Sequence, residues 1–303
     1  MKSKIFNFLL VAGIAGSLIL GTTSCGDDED TLPAIDGYNN SDEVASTNLI
    51  AHWPLDGNGV EKKSNVAPSK STNASFVAGA KGQAVKFNAG FLDYPSISSL
   101  NITSGSISIS TWAKLTNTKL VAGGASNISP IFSIAGGPNA NIGNLALFGN
   151  THELTTSDSI QLKAEFHFDK GDGTDFGGDC VNMIRKETWM DDTHTPNANK
   201  IGGQWAHIVY VYDGSNANNR LYVNGVKISN APWESRNGGA ALAMKFFSPN
   251  RPIIGATQSV ANGTNAETWN KALTGEVDEI RVYNKTLTVA EIGALYKLEK
   301  AGR

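Results

Sequence analysis

The segment Ser106–Lys114 reads Ser-Ile-Ser-Ile-Ser-Thr-Trp-Ala-Lys and alternates strictly between two sets of side chains. One set is Ile107, Ile109, Thr111 and Ala113, and the other is Ser108, Ser110 and Trp112. A period of two residues is typical of a β-strand, because successive side chains point to opposite faces of a sheet. The segment therefore predicts a half-buried strand, with one face on a core.

Further strand signals recur along the chain, at Gln161–Phe168, Trp205–Tyr212 and Gly275–Tyr283. Within Arg220–Ser229, the pair Asn224-Gly225 separates two short apolar runs. Asn-Gly favours the positive φ angles of a type I′ turn, so this stretch predicts a β-hairpin. Strands that follow one another without intervening helices favour an antiparallel sandwich over a parallel α/β sheet.

One helix is predicted, close to the carboxyl end. Thr288 and Glu291 have the spacing of a capping box, and Leu287 and Ile292 that of a hydrophobic staple. The fold class predicted from these patterns is all-β, an antiparallel β-sandwich with a short C-terminal helix.

The amino terminus has the layout of an export signal. Lys2 and Lys4 precede an apolar stretch, residues 6–20, which is too short for a stable transmembrane helix, and small polar residues then lead to Cys25. A cysteine in this position resembles the lipidation site of bacterial lipoproteins, although Thr22 stands where a branched aliphatic residue is usual. The alternative is an ordinary secretory signal with an incidental cysteine.

The residues after Cys25 are acidic, and those up to Thr47 are mostly polar. An acidic run beside the anchor resembles that of surface-exposed lipoproteins of Bacteroidetes-type bacteria. We therefore expect a signal peptide at residues 1–24, a lipidated Cys and flexible tether at 25–47, and one domain at 48–303. The expected location is the bacterial outer membrane, lipid-anchored and facing the cell exterior.

Composition excludes some functions. With 25 basic and 28 acidic residues the formal net charge is −3, so the chain lacks the basic surplus that nucleic-acid binding requires. The chain has two cysteines, and lipidation of Cys25 would leave Cys180 without a partner. No disulfide framework is therefore expected.

Several segments together resemble the laminin G-like jelly-roll domains of the concanavalin A-like superfamily. The similarity runs in order from Leu49 to Tyr296 and covers nearly the whole mature chain. The segments that carry it are Leu49–Asn58, Ala80–Phe87, Ser106–Lys114, Trp205–Gly214, Leu221–Gly225, Gly275–Asn284 and Leu287–Ile292. The fold hosts lectins, hydrolases and adhesion modules, so it does not by itself specify a function.

The resemblance implies a structural Ca²⁺. In this family the aspartate that corresponds to Asp278 often helps to bind the ion, together with oxygens from the turn after the first strand, here Asp56 to Asn58. Carboxylates and carbonyl oxygens are the ligands that Ca²⁺ prefers. The alternative is that Asp278 forms a salt bridge, Arg281 being close in sequence, or hydrogen bonds at a strand end.

The motif Glu276-Val-Asp278-Glu279-Ile-Arg281 resembles the catalytic strand of laminarinase-type glucanases, but it is incomplete. Ile280 and Arg281 occupy the positions where the acid would stand. Alternation along a strand predicts that Glu279 points away from Glu276 and Asp278. No catalytic residues are assigned on this basis, and a glycan-degrading enzyme remains an alternative.

Aromatic residues in polar, loop-like surroundings are the candidate ligand contacts. Sugar rings present C–H faces that stack on indoles, and a nearby guanidinium can bind hydroxyls. We assign this role to Trp189, Trp233, Trp269 and Arg236. The alternative is that each tryptophan folds back under its own loop. The stretch from Asp169 to Gly203 is expected to be a long loop, and its acidic cluster, Asp169 to Asp179, a solvated part of it.

The function predicted from the sequence is therefore a non-catalytic, glycan-binding or adhesion lipoprotein. Its partner would be a glycan, a polysaccharide or a surface protein. A glycan-degrading enzyme and a protein-binding scaffold module of the envelope are the alternatives.

Overall fold

The computed structural model describes residues 32–103, 105–117, 127–151, 154–197 and 200–303. The predicted signal peptide and Cys25 lie outside these residues. Ala34–Arg303 form one compact unit. None of the helices in the described ranges has the length and apolarity needed to cross a bilayer.

The described residues form an almost entirely β structure. The strands are β1 (Leu49–Trp53), β2 (Lys70–Ala78), β3 (Gln83–Asp93), β4 (Ile107–Leu115), β5 (Ile128–Ala135), β6 (Leu145–Asn150), β7 (Gln161–Asp169), β8 (Asp175–Val181), β9 (Trp205–Asp213), β10 (Asn218–Val223), β11 (Val226–Lys227), β12 (Arg251–Ile254) and β13 (Leu273–Tyr283). The helices are α1 (Gln258–Asn262) and α2 (Val289–Lys300).

The strands form one curled antiparallel sheet in the order β11-β10-β9-β4-β13-β3-β12-β5-β6-β7-β8, with β1 on β13 and β2 on β3. Its two halves face each other across the core. Phe166 of β7 meets Tyr212 of β9 with ring centroids 5.5 Å apart, and Trp53 of β1 meets Phe132 of β5 at 5.4 Å. The all-β, jelly-roll prediction is confirmed.

Strand β4 is buried on both faces. Ile107 and Ile109 lie in the main core as predicted, but Ser108, Ser110 and Trp112 on the other face are buried as well. The prediction of a half-buried strand was wrong on this point, because α2 and the segment before β1 cover the outer face of this half of the sheet.

The segment before β1 is part of the domain. Val44 is fully buried against α2, and Asp36 forms an ion pair with Lys297 of that helix at 2.7 Å. The Arg303 guanidinium donates a hydrogen bond to the Asn39 carbonyl. The prediction of a flexible tether up to Thr47 was therefore wrong for residues 34–47, and both ends of the domain lie on the α2 side.

Two local predictions are confirmed. Asn224 and Gly225 have φ angles of 51° and 81°, as a type I′ turn requires, and they join β10 to β11. Thr288 caps α2, with the reciprocal hydrogen bonds to Glu291 that define a capping box.

Strand β13 contains a bulge between Asp278 and Arg281. Asp278 pairs with Trp112 and Arg281 with Ser110, so Glu279 and Ile280 together oppose one residue of β4. Glu279 adopts a φ of 46°, and its carboxylate accepts a hydrogen bond from Arg281 at 2.8 Å. The prediction that Glu279 points away from Asp278 was wrong, because the extra residue interrupts the alternation of side chains.

Beneath α2 the bulge completes a buried ionic cluster centred on the Arg281 guanidinium, which is fully buried. Arg281 donates to Glu299 at 2.8 Å, to Glu279 at 2.8 Å and to Asp42 at 2.7 Å. Glu279 also contacts the ring of His52 at 2.9 Å. We call Asp42, His52, Glu279, Arg281 and Glu299 the Arg281 cluster.

The carboxylates of the Arg281 cluster differ in their pKa values. Burial opposes charge on Glu279, but the hydrogen bond with His52 and the charge of Arg281 hold its pKa below the usual range. Burial raises the pKa of Glu299 in spite of the attraction of Arg281. The cluster is therefore held together by a cation that cannot be removed without leaving buried negative charge.

Replacing that cation should strongly destabilise the domain. We expect Arg281→Met to lower the free energy of unfolding by about 3–5 kcal/mol, because Glu279 and Glu299 lose their buried counter-charge. Lys297→Met is the matched control, since it removes an exposed ion pair and should cost under about 1 kcal/mol. Urea denaturation of both variants measures the difference, and equal losses would contradict a structural role for the cluster.

Candidate functional site

The outer face of β7 and β8 carries a line of charged side chains. On β7, Leu162, Ala164, Phe166 and Phe168 point into the core, so the alternate residues Lys163, Glu165 and His167 point outward. Glu165 pairs with Asp179 of β8. A cavity of about 270 Å³ lies over these residues; we call it the trough, and its lining is Lys163, Glu165, His167, Gly178 and Asp179.

Ion pairs join the two sides of the trough. The Lys163 ammonium lies 3.0 Å from a Glu165 oxygen and 3.1 Å from an Asp179 oxygen. Burial disfavours charge on Lys163, but the two carboxylates raise its pKa overall. Arg236, one of the predicted ligand contacts, donates to the carboxylate of Asp179 at 2.6 Å and also to its main-chain carbonyl. The structure therefore places Arg236 at the edge of the trough.

His167 lies at one end of the trough. Its Nδ1 is 2.9 Å from Asp175, its Nε2 is 2.7 Å from the Asn139 amide nitrogen, and Glu165 is 3.6 Å from Nε2. Gly177 of β8 pairs with His167 of β7. A Cβ atom at Gly177 would lie 2.7 Å from the nearest atom of the imidazole ring. Glycine at this position leaves the room that the ring occupies.

Aromatic side chains border the other end. The rings of Trp189, His194 and Trp233 meet edge to face, with centroids 5.3–5.9 Å apart. Trp233 packs against Val181 of β8, which pairs with Lys163, while Trp189 is 60% exposed. We call these three rings the aromatic rim. The sequence singled out both tryptophans but not His194.

Trp269 does not belong to the aromatic rim. It packs on a separate apolar cluster that contains Phe148 of β6, and its indole nitrogen donates to Glu267. Phe148 pairs with Lys163, which pairs in turn with Val181, so Phe148 and Val181 are two strand spacings apart, ~10 Å. Trp269 therefore lies toward the opposite side of the trough, half-buried in its own cluster, as the alternative interpretation expected.

The acidic stretch from Asp169 to Asp179 is not a solvated loop. Asp169 accepts hydrogen bonds from the main-chain N–H groups of Gly171 and Gly173, both at 2.7 Å, and so closes a tight turn between β7 and β8. Asp175 and Asp179 belong to β8. The loop prediction was wrong for β8, because this strand is rich in glycine and aspartate, which are rare in strands.

The residues predicted to bind Ca²⁺ lie around one loop, between β2 and β3. Asp278 accepts a hydrogen bond from the N–H of Lys81 at 2.9 Å, and Asp56 accepts from the N–H of Gln83 at 2.7 Å. The side-chain oxygen of Asn58 accepts from Val60 instead. The two carboxylates therefore reach the same loop from two sides, whereas Asn58 closes its own turn.

Asp278 has the electrostatic properties of a cation ligand. Burial and the nearby Glu279 carboxylate raise its pKa to about 8, and only main-chain N–H groups oppose that effect. A cation at this loop would stabilise the charged carboxylate, and carboxylate oxygens such as those of Asp278 and Asp56 are of the type that Ca²⁺ prefers. Among the described residues no group of three or more His, Cys, Asp or Glu side chains is arranged to hold a metal, so further ligands would be carbonyl oxygens.

The carboxylates of the glucanase-like motif do not converge on an open groove. Glu276 lies between Lys86 and Lys114 at 3.9 and 3.4 Å, Asp278 bonds the β2–β3 loop, and Glu279 belongs to the Arg281 cluster.

Glu165 and Asp179 do face each other across the trough, as glycoside hydrolysis would require. Lys163 bridges them, however. Burial disfavours charge on Glu165, but the neighbouring His167 and Lys163 side chains lower its pKa. A general acid needs a raised pKa, so Glu165 is suited to binding rather than to proton donation.

A sequence profile of the concanavalin A-like lectin/glucanase superfamily matches residues 88–293. The chain belongs to this superfamily. The matched range contains β4 to β13, and with them the trough and the aromatic rim. No curated protein sequence matches the chain.

Solved structures of the same fold come from several kinds of protein. Domain 4 of AbnA, an extracellular arabinanase from Geobacillus stearothermophilus solved with arabinotriose, is 18% identical, with a TM-score of 0.48 over 82% of this chain and 98% of that one. The binding domain of Paraclostridial Mosquitocidal Protein 1 is 16% identical, with a TM-score of 0.53 over 83% and 52%. The receptor binding domain of botulinum neurotoxin mosaic serotype C/D is 11% identical, with a TM-score of 0.51 over 84% and 51%. The chain spans about half the length of the two toxin domains, and the similarity to those two domains shows the fold alone.

Proposed function

We propose that this protein is a non-catalytic glycan-binding lipoprotein displayed on the outside of the cell. The observation that carries the proposal is the 60% exposed indole of Trp189, which lies beside a polar trough on the open face of the sandwich. Tryptophan is enriched at recognition surfaces, because its ring supplies a large apolar area and its N–H group a polar contact.

The trough and the aromatic rim supply complementary contacts for a sugar chain. Trp189 offers a flat apolar surface to the C–H face of a ring. Lys163 and Arg236 are hydrogen-bond donors, and Glu165 and Asp179 are acceptors for hydroxyl groups. Contacts of this kind give weak binding at one site, which dense display on a surface raises through avidity.

The proposed location rests on the amino-terminal sequence. Export and lipidation at Cys25 would hold the domain at the bacterial outer membrane, with residues 26–33 as the tether before the domain begins at Ala34. In the adhesion alternative, Trp189 contacts a protein surface instead of a sugar. The glycan array described next distinguishes the two.

Truncating Trp189 should weaken glycan binding. We expect Trp189→Ala to reduce the signal at least about tenfold on a glycan array, because a well-placed aromatic contact contributes on the order of 1.5 kcal/mol. Val226→Ala is the matched control, since Val226 is 63% exposed but belongs to β11, outside the trough. A folded wild-type domain that binds no glycan would refute the proposal and favour a protein partner.

We also infer that the β2–β3 loop holds a structural Ca²⁺ through Asp278 and Asp56. The support is geometric: the buried Asp278 carboxyl and the Asp56 carboxyl both accept hydrogen bonds from main-chain N–H groups of the same loop. The ion would fix the loop against β13 and the turn after β1, and it would take no part in chemistry.

Calcium should raise the melting temperature more at pH 8 than at pH 5. The folded-state pKa of Asp278 lies above its unfolded value of ~3.9, so without metal the ionisation of this group costs stability as the pH rises through about 8. Calcium binds the ionised carboxylate, and protons compete with it at low pH. Differential scanning fluorimetry with calcium or chelator measures the shift.

Two variants sharpen this test. Asp278→Asn should abolish the calcium-dependent shift, whereas Asp192→Asn, which removes a carboxylate from the protein surface, should leave it unchanged. A wild-type melting temperature that is the same with calcium and with chelator at both pH values would rule out the site.

A further inference from the structure

The orientation of one amide fixes the protonation state of His167. The side-chain oxygen of Asn139 accepts hydrogen bonds from the N–H groups of Asn141 and Ile142, at 3.1 and 2.8 Å. The amide nitrogen must therefore be the atom that faces Nε2 of His167 at 2.7 Å. An amide nitrogen only donates, so Nε2 accepts, and the ring is neutral with its hydrogen on Nδ1, directed at Asp175.

Protonation would disrupt this arrangement. A second hydrogen, on Nε2, would point at the NH₂ group of Asn139, so that two donors would face each other at hydrogen-bond distance. The nearest carboxylate for the new N–H is Glu165, whose oxygen lies 3.6 Å from Nε2. A small rotation of the ring therefore exchanges Asn139 for Glu165, and His167 has two alternative partners.

The exchange would alter the charges that a ligand meets. In the neutral state Glu165 and Asp179 both bind the Lys163 ammonium. Once His167 binds Glu165, this carboxylate attracts Lys163 less strongly, so an N–H group of Lys163 is more readily available to a ligand. With the ring protonated, the three carboxylates around His167 face three cations. With the ring neutral, three carboxylates face two cations, namely Glu165, Asp175 and Asp179 against Lys163 and Arg236.

We propose that His167 determines which glycans the trough accepts. With a neutral ring the trough binds uncharged glycans and repels acidic ones; with a protonated ring it also binds glycans that carry carboxylates, through Lys163. This inference rests on the proposed glycan-binding function and adds to it the charge class of the ligand.

The change falls in an accessible pH range. The nearby carboxylate of Glu165 raises the pKa of His167, burial opposes the rise, and Asp175 adds to it. Asn139 acts in the opposite direction, because its NH₂ group favours the neutral ring. Histidine is the side chain whose charge ordinarily changes between about pH 5 and 8.

The first experiment measures the ring directly, without a ligand. Nitrogen-15 NMR of the imidazoles, assigned with His167→Gln, should show a neutral tautomer with hydrogen on Nδ1. Asn139→Asp places an acceptor opposite Nε2 and should raise the pKa of His167 by about one unit or more. Asn141→Asp adds the same charge to the same loop, but its side chain faces Ser259 and Asn270, so it should shift the pKa far less. Hydrogen on Nε2 in the neutral wild-type ring, or equal shifts in the two variants, would overturn the switch.

The second experiment measures selectivity. Full-length protein is applied at pH 8 and at pH 5 to an array of neutral oligosaccharides and their uronic-acid counterparts. We expect the ratio of acidic to neutral signal to rise about tenfold at pH 5, as one charge-assisted hydrogen bond would produce, and to be independent of pH in His167→Gln. A ratio that does not change in the wild type would refute the proposal. A blank array at both pH values would refute the glycan-binding function itself, and the NMR result would still report on the ring.

Discussion

The buried guanidinium of Arg281 is the constraint on which the rest of the structure depends. A charge in the interior must be paired, and each partner of Arg281 comes from a different part of the chain: Glu299 from α2, Asp42 from the segment before β1, and Glu279 from the bulge in β13. One cation therefore holds the helix and the amino-terminal segment against the same face of the sheet. The bulge is required for this arrangement, because it brings Glu279 to the face of the sheet on which Arg281 lies.

We propose recognition on the opposite face of the sandwich, which carries the trough. Both faces bear ion pairs, but they differ in burial: the carboxylates of Glu279 and Glu299 are at most 1% exposed, whereas Lys163, Glu165 and Asp179 keep about a quarter of their side-chain surface, 24–27%. A fully buried ion pair cannot exchange one partner for a ligand without leaving a buried charge unpaired. A partly exposed pair can exchange a partner for a ligand at modest cost, and for this reason we place binding in the trough.

Local sequence patterns predicted those structural features that depend on residues close together in the chain. The Asn224-Gly225 turn, the capping box of α2 and the strand at β4 involve residues close in sequence, and the structure has all three. The docking of Asp42 on Arg281 could not be predicted, because the partners are 239 residues apart and neither segment shows a special pattern. The trough could not be predicted for a related reason. Its outward residues on β7 lie in a predicted strand, but the sequence of β8, which carries Asp179, predicts a loop.

The position of the domain's two ends has a practical consequence. Residues 36–39 and the last residue of the chain meet beside α2, on the side of the core opposite the trough. Attachment at either end, to a membrane, a sensor chip or a fused reporter, therefore leaves the recognition face unobstructed and gives every copy the same orientation. The domain is accordingly suited to oriented immobilisation, in which many identical faces meet a polymeric ligand at once.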